Sequence, residues 1–398
     1  MPSVPAKFLK RRAVGVVTAA AVAVAVSLAA RAENGVTADK IVFGQAAALD
    51  GPAAALGQGM REGILAAFAE ANKAGGIKGH QLELISRDDG YDPNKSIQAA
   101  KQLIDQDKVF ALIGSVGTPT SAAVQPIATD AGVPFIGAFT GAEFLRSPYK
   151  PKVVNVRASY FQETETMVEH LTKDLGISRI AIFYQDDGFG QAGLAGVKRA
   201  LDRRKMALVA EGAYERNTTA VKRALLTIRE GKPEAVIMIG AYQPCAEFIK
   251  VAREIKLDAV FVNISFVGSD ALAKELGRDG SGVVVTQVVP FPADTSIGVV
   301  AHYQAALKAV KADAAPGFVS LEGYMVGRLV VMALEKLPAN ALTRASLLDA
   351  ISHNNFDLGG VTLSYGADNN RGSDRVFLTV IQSDGRFRSV ERLTKTGS

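Results

Sequence analysis

Short apolar runs alternate with amphipathic helical patterns along most of this chain, and that alternation restricts its fold more than any other feature. The run "KIVFGQAAA" (Lys40 to Ala48) reads as a strand. Met60, Ile64, Phe68 and Ala71 follow at i, i+4, i+8 and i+11, one face of a helix that stops at Gly75-Gly76. Strand-like runs at 81–86, 109–114 and 133–137 follow, with helices opening at Pro93 and Pro119. The run at 152–157 leads into a second series, with strands at 179–185, 207–214, 234–240, 259–265 and 282–290. Helices near 296–311, 318–336 and 343–353 come next, then a hairpin-like pair near 360–364 and 375–382. Short buried strands alternating with helices predict an α/β fold of parallel sheets with helices on both faces. At 398 residues the chain is long enough for two such units.

The two series echo one another. "ALIGSVGTP" (Ala111 to Pro119) and "VIMIGAYQP" (Val236 to Pro244) are each an apolar strand ending Ile-Gly, a short link and a helix-starting proline. Two similar lobes are expected, with equivalent strand ends facing a cleft, because open α/β sheets bind ligands beyond the carboxyl ends of their strands.

The first 32 residues read as an export signal rather than as part of the fold. Lys7, Lys10, Arg11 and Arg12 precede the uncharged run Ala13 to Ala30, and Ala30-Arg31-Ala32 fits a cleavage site before Glu33. The run approaches membrane-spanning length, but its Ala/Val content and the cleavage site favour a removed signal. These residues carry five of the basic groups and no acid, so the formal net charge of +5 falls to zero without them. A neutral mature chain provides no electrostatic footprint for nucleic acid. The one cysteine, Cys245, has no internal partner, so the core alone must hold the exported protein. No cysteine follows the signal to carry a lipid, and a soluble periplasmic location is expected.

The stretch "GSVGTPTSAA" (Gly114 to Ala123) is the most informative loop. Thr118 reads as an N-cap with Pro119 at the first helical position. A Thr-Pro pair alone is most simply a plain cap. Two glycines just before it let a ligand approach the backbone, and free N–H groups at a helix start suit a carboxylate. The neighbouring loop "GAFTGAEF" (Gly137 to Phe144) offers the backbone of Ala138 and Phe139 and the Thr140 hydroxyl. Together the loops predict a small polar pocket without a charged side chain. Tyr242 occupies the equivalent strand end of the other series, where the plainer reading is a half-buried core tyrosine. Phe189, in "YQDDGFGQAG", suits an apolar lid, and Asp186-Asp187 there reads as a turn and cap.

Catalytic and cofactor signatures are missing. "GQGMREG" (Gly57 to Gly63) imitates a dinucleotide loop but lies at a helix start several residues past its strand. The four histidines are scattered, and the sequence contains neither a Walker A loop nor a G-x-S-x-G elbow, so no metal and no cofactor are expected.

"DGPAAALGQGMREGILAAFAEANKAGGIKGHQLELISRDDGYDP", "ALIGSVGTPTSAAVQPIATDAGVPFIG", "RIAIFYQDDGFGQAGLAGVKRAL" and "AVIMIGAYQPCAEFIKVAREI" resemble, in order and spacing, the leucine/isoleucine/valine-binding protein family, periplasmic receptors of ABC importers. The resemblance covers nearly all of 38–390. It implies a type I periplasmic binding fold: two Rossmann-like lobes joined by three crossings, near 157–160, 287–290 and 364–367. The N-terminal lobe would take 33–158 plus 289–365, and the C-terminal lobe 159–288 plus 366–398. By the same resemblance Thr118 holds a ligand carboxylate, Ala138 and Thr140 hold its amino group, and Tyr242 and Phe189 close over it. Two positions depart from the family: Ser265 stands where amino-acid binders carry a glutamate, and Leu56 where some carry a tyrosine. Without that glutamate the implied ligand is a carboxylate or amide lacking an α-ammonium group, unless another acid such as Asp187 substitutes. The implied partners are a small-molecule ligand and an ABC permease of the inner membrane. The alternatives are a receptor serving a membrane signalling protein and an exported α/β enzyme.

Overall fold

Strand β1 (Lys40–Ala47) is buried along almost its whole length, as a parallel strand covered by helices on both faces requires. The computed structural model describes residues 1–3 and 33–394, so the expected export segment lies outside the description but for Met1–Ser3. After β1 come α1 (Ala54–Lys73), β2 (Gln81–Asp88), α2 (Pro93–Lys101), β3 (Ala111–Ile113), α3 (Thr118–Asp130), β4 (Phe135–Ile136) and β5 (Val153–Val154). The five strands form one parallel sheet in the order β2-β1-β3-β4-β5.

The second series repeats this arrangement. It comprises α4 (Tyr160–Lys173), β6 (Ile180–Gln185), α5 (Gly188–Asp202), β7 (Ala210–Tyr214), α6 (Lys222–Glu230), β8 (Ala235–Ile239), α7 (Tyr242–Glu254), β9 (Val260–Asn263), α8 (Ser269–Leu276) and β10 (Val284–Gln287). Its parallel strands run β7-β6-β8-β9-β10, the same order as the first sheet. The echo between 111–119 and 236–244 therefore falls on equivalent strands, β3 and β8, each beside the point where the strand order reverses. Loops leaving strands there open a crevice at the carboxyl edge.

The chain then returns to the first sheet's side. Helices α9 (Gly298–Val310) and α10 (Phe318–Glu335) pack on α1. Helix α11 (Arg344–Ser352) leads into a small antiparallel sheet of β11 (Asn355–Asp357), β12 (Thr362–Gly366) and β13 (Asn369–Gly372). Last, β14 (Phe377–Ile381) pairs antiparallel with β10, and β15 (Phe387–Val390) with β14.

Two expectations need correcting here. The runs near 360–364 and 375–382 are not a hairpin, because β12 and β14 belong to different sheets. Local alternation identifies a strand but not its partner. The third passage between sheets also comes later than 364–367, since β13 still pairs with β12. That passage lies beside the first. The Asn155 N–H donates to the Asn370 carbonyl at 2.9 Å, and the Ser373 N–H to the Val156 carbonyl at 3.1 Å.

Ile237 is fully buried in β8, between β6 and β9. Ile237→Ala is expected to lower stability by about 2–5 kcal/mol, through lost burial and the cavity left behind. Denaturant unfolding of the two proteins checks this, and a cost under about 0.5 kcal/mol would mean that the strand is not central.

Candidate ligand-binding site

Helix α3 starts at Thr118, and its cap is Gly117, which has φ 104°. Thr118 is thus the first helical residue and Pro119 the second, one step from the expected register. This frees the hydroxyl, because Thr118 makes no cap bond. Its Oγ1 lies 2.7 Å from Thr140 Oγ1, which in turn donates to Tyr160 Oη at 3.3 Å. All three residues are buried. Gly117 is required twice over, by its positive φ and because a Cβ there would collide with the Tyr91 ring. Burial raises the Tyr160 pKa, so the phenol stays protonated and remains a donor.

A buried arginine holds the second loop. Arg146 donates through Nη1 to the Ala142 carbonyl at 2.9 Å and the Thr140 carbonyl at 3.4 Å, and through Nη2 to the Arg157 carbonyl at 3.0 Å. Burial, followed by repulsion from Arg157, lowers its pKa to about 10, still high enough to keep it charged. Ala138 enters this loop through its backbone. Its carbonyl accepts the Thr140 N–H, and its side chain packs in a separate core with Val109, Leu112 and Phe135.

The expected absence of charge is overturned. Arg157, Glu163 and Glu322 have side chains 1%, 0% and 3% exposed, and they meet where the two halves face each other. Arg157 Nη2 donates to Ser265 Oγ and to Glu163 Oε1 at 3.4 Å, while Nη1 lies 3.6 Å from Glu322 Oε1. Glu163 Oε2 accepts from the Ser265 N–H at 2.9 Å and from Thr286 Oγ1 at 2.6 Å. The guanidinium stacks 4.7 Å from the Phe139 ring centroid. Burial works against its charge, but Glu322 and Glu163 outweigh it and hold its pKa above the ordinary value. Burial raises Glu322 to about 7, against the pull of Arg157.

Aromatic rings complete the enclosure. Phe266, from the loop after β9, lies 4.5 Å from Phe189, 5.3 Å from Phe139 and 6.0 Å from Tyr91, centroid to centroid. Tyr160 sits 5.5 Å from Phe189. The halves also touch at the rim. The Ala55 N–H reaches Tyr242 Oη at 3.5 Å, and Gln185 Nε2 donates to Tyr91 Oη at 3.2 Å. Leu56 packs on Gly268, whose φ of 80° and lack of a side chain allow the approach. Asp187 is committed as the cap of α5, accepting the Phe189 N–H at 2.9 Å. Its other oxygen accepts from Gln185 and from Arg216, so it is not a spare acid for an ammonium group. Among the described residues, no group of histidine, cysteine and acidic side chains could hold a metal.

The structure thus brings Thr118, Thr140, Phe189, Ser265, Tyr242 and Leu56 to the line where the halves meet, with the Ala138 carbonyl bonded to the Thr140 N–H. Sequence reasoning missed Arg157, Glu163, Glu322, Tyr91, Tyr160 and Phe266. Arg157 and Glu322 did carry a signal, Arg157 as the charge that ends the run "VVNVR" and Glu322 as the one charge within "FVSLEGYMVG".

The Glu322 shift has a sign that can be checked. From its ordinary 4.5 up to about 7, the unfolded carboxyl has lost its proton while the folded one retains it. The folded state then binds more protons, so this group's contribution to stability falls as pH rises through that window and levels off above it. Glu322→Gln is expected to flatten this decline in unfolding measurements between those values, and an unchanged slope would show that Glu322 ionises normally.

The family model described as periplasmic binding protein matches residues 13–386. A solved protein of Rhodopirellula baltica, described as "a possible leucine/isoleucine/valine-binding protein", is 39% identical with a TM-score of 0.85, over 90% of this chain and 98% of that one. An extracellular ligand-binding receptor of Verminephrobacter eiseniae is 30% identical with a TM-score of 0.80, over 88% and 99%. The leucine-, isoleucine-, valine-, threonine- and alanine-binding protein of Pseudomonas aeruginosa is 25% identical, over 84% of this chain and 87% of its own length. Such proteins bind substrates and are not enzymes. The chain belongs to the periplasmic binding protein family, with proteins named for leucine, isoleucine and valine binding among its relatives, and has their type I fold.

Proposed function

We propose that this chain captures a small solute of the branched-chain amino acid class, or a related carboxylate or amide, and delivers it to an ABC permease of the inner membrane. In this reading residues 1–32 direct export to the periplasm and are removed. The observation that carries the proposal is the Thr118–Thr140–Tyr160 hydroxyl chain, buried beyond the strand ends and roofed by residues of both halves. Those hydroxyls grip the polar head of the ligand, and Phe139, Phe189 and Phe266 surround its apolar part. Tyr242, Leu56 and Ser265 close the rim.

The mechanism follows from where the contacts lie. The Ala55–Tyr242 and Tyr91–Gln185 bonds cross between halves and must part for a ligand to enter. The hinge is then the region where residues 155–157 and 370–373 run side by side, with the passage after β10 as the third crossing. A ligand touching both halves binds the closed form better than the open one, and that difference drives closure. The permease reads the closed shape. The leucine, isoleucine, valine, threonine and alanine named for the Pseudomonas aeruginosa relative set the starting panel.

A thermal-shift screen of the mature chain against amino acids, aromatic and short-chain acids and amides tests the proposal. A true ligand at one hundred times its Kd adds about 2.7 kcal/mol of stability. No response from any class would overturn the reading. Thr118→Ala is expected to weaken binding by about 1–3 kcal/mol, because a buried ligand oxygen loses its partner. Unchanged affinity by calorimetry would remove Thr118 from the site.

A further inference from the structure

The Arg157–Glu322 pair is incompletely satisfied in a way that points to a ligand group. Arg157 Nε and Nη1 are buried and donate no hydrogen bond among the described residues. Glu322, on α10, accepts none among them either, and its closest charged partner is Nη1 at 3.6 Å. Buried polar groups are almost always paired, so the two buried Arg157 donors call for an acceptor that the surrounding residues do not supply, with the Glu322 carboxyl beside them. Arg157 also lies beside the hydroxyl chain, its guanidinium 6.0 Å from the centroid of the Tyr160 ring.

Resting on the function proposed above, we infer that Arg157 and Glu322 read the ligand head as specificity-determining residues and select a primary carboxamide over the isosteric carboxylate. A carboxamide carries an acceptor and a donor side by side. Its carbonyl takes the Arg157 N–H groups while its NH₂ donates to Glu322. It adds no charge to a cluster that already holds one cation and two carboxylates. An ionised carboxylate satisfies Arg157 equally well, but it faces Glu322 as a like charge and leaves that acceptor unpaired. A site built to hydrogen-bond a substrate N–H rejects the analogue that lacks it more strongly than an apolar pocket rejects a size change.

The preference depends on a proton. Glu322 faces Arg157 from the first crossing, Glu163 from α4, and Arg146 from the Thr140 loop, whose donors are spent on carbonyls. When Glu322 is protonated it becomes a donor, and the carboxylate head is accepted with that proton taken up. Discrimination between the two heads therefore narrows as pH falls below the range in which Glu322 titrates, about 7.

Calorimetric titration of the mature chain with 4-methylpentanamide, 4-methylpentanoate and L-leucine tests this, at about pH 8 and about pH 5.5. The amide is expected to bind about tenfold or more tightly than the acid at the higher pH, and the gap should shrink at the lower one. Glu322→Gln should hold the two heads within about threefold of each other at both pH values, since its amide both donates and accepts. The wild-type pH dependence is an independent readout should that variant fail to fold. Equal binding of amide and acid at the higher pH, or leucine binding more tightly than the amide, overturns the inference. So does a Glu322→Gln variant that loses only thermal stability, because that marks the pair as a structural lock. Thr118→Ala separates this from failure of the underlying reading. It should weaken every head that binds, and if it weakens none, the site itself is misplaced.

Discussion

The buried guanidinium of Arg157 is the constraint on which the rest of the site depends. It sits on the first crossing and faces Glu163 of α4, Glu322 of α10 and Ser265 after β9. Four segments from both halves therefore converge on one cation. Removing a charge of this kind from water is costly, and only surrounding carboxylates make it tolerable. Glu163 does more than neutralise. By accepting from the Ser265 N–H and Thr286 Oγ1 it binds the β9 loop to β10, and so fixes where Phe266 projects. The aromatic roof over the hydroxyls is thus placed by an ion pair beneath it.

The other half of the site is uncharged and rests on backbone geometry. Gly117 turns the chain so that Thr118 starts α3 with its hydroxyl unspent, and Arg146 occupies the carbonyls of the next loop so that Thr140 faces the same point. Hydroxyls can donate and accept, so a cluster of three adapts to a ligand oxygen without a net change in charge. This combination of adaptable hydroxyls on one side and a charge-paired cluster on the other suits a polar head held by a binding protein.

Much of the fold was legible in the chain because the signals are local. Apolar runs, helical spacing and Gly-Pro punctuation placed β1 to β10, though not the helices α4 and α8, and the repeated Ile-Gly strand end pointed correctly to β3 and β8 as equivalents. Legibility failed where partners are remote in sequence. β12 and β14 look like neighbours joined by a turn, but they pair in different sheets. The pocket was expected to be uncharged because Thr118 and Thr140 are neutral, and the charges come from Arg157, Glu163 and Glu322, which no local pattern brings together.

Residue order by itself determined the α/β alternation, the two matching halves and the loops at their strand ends, because period, capping and turn chemistry act over a few residues. Only the tertiary structure decided what those loops face. Glu163 and Glu322 are 159 positions apart, yet both reach one guanidinium. The energy that justifies burying them exists only once both halves have excluded water from that point, and no local segment carries it.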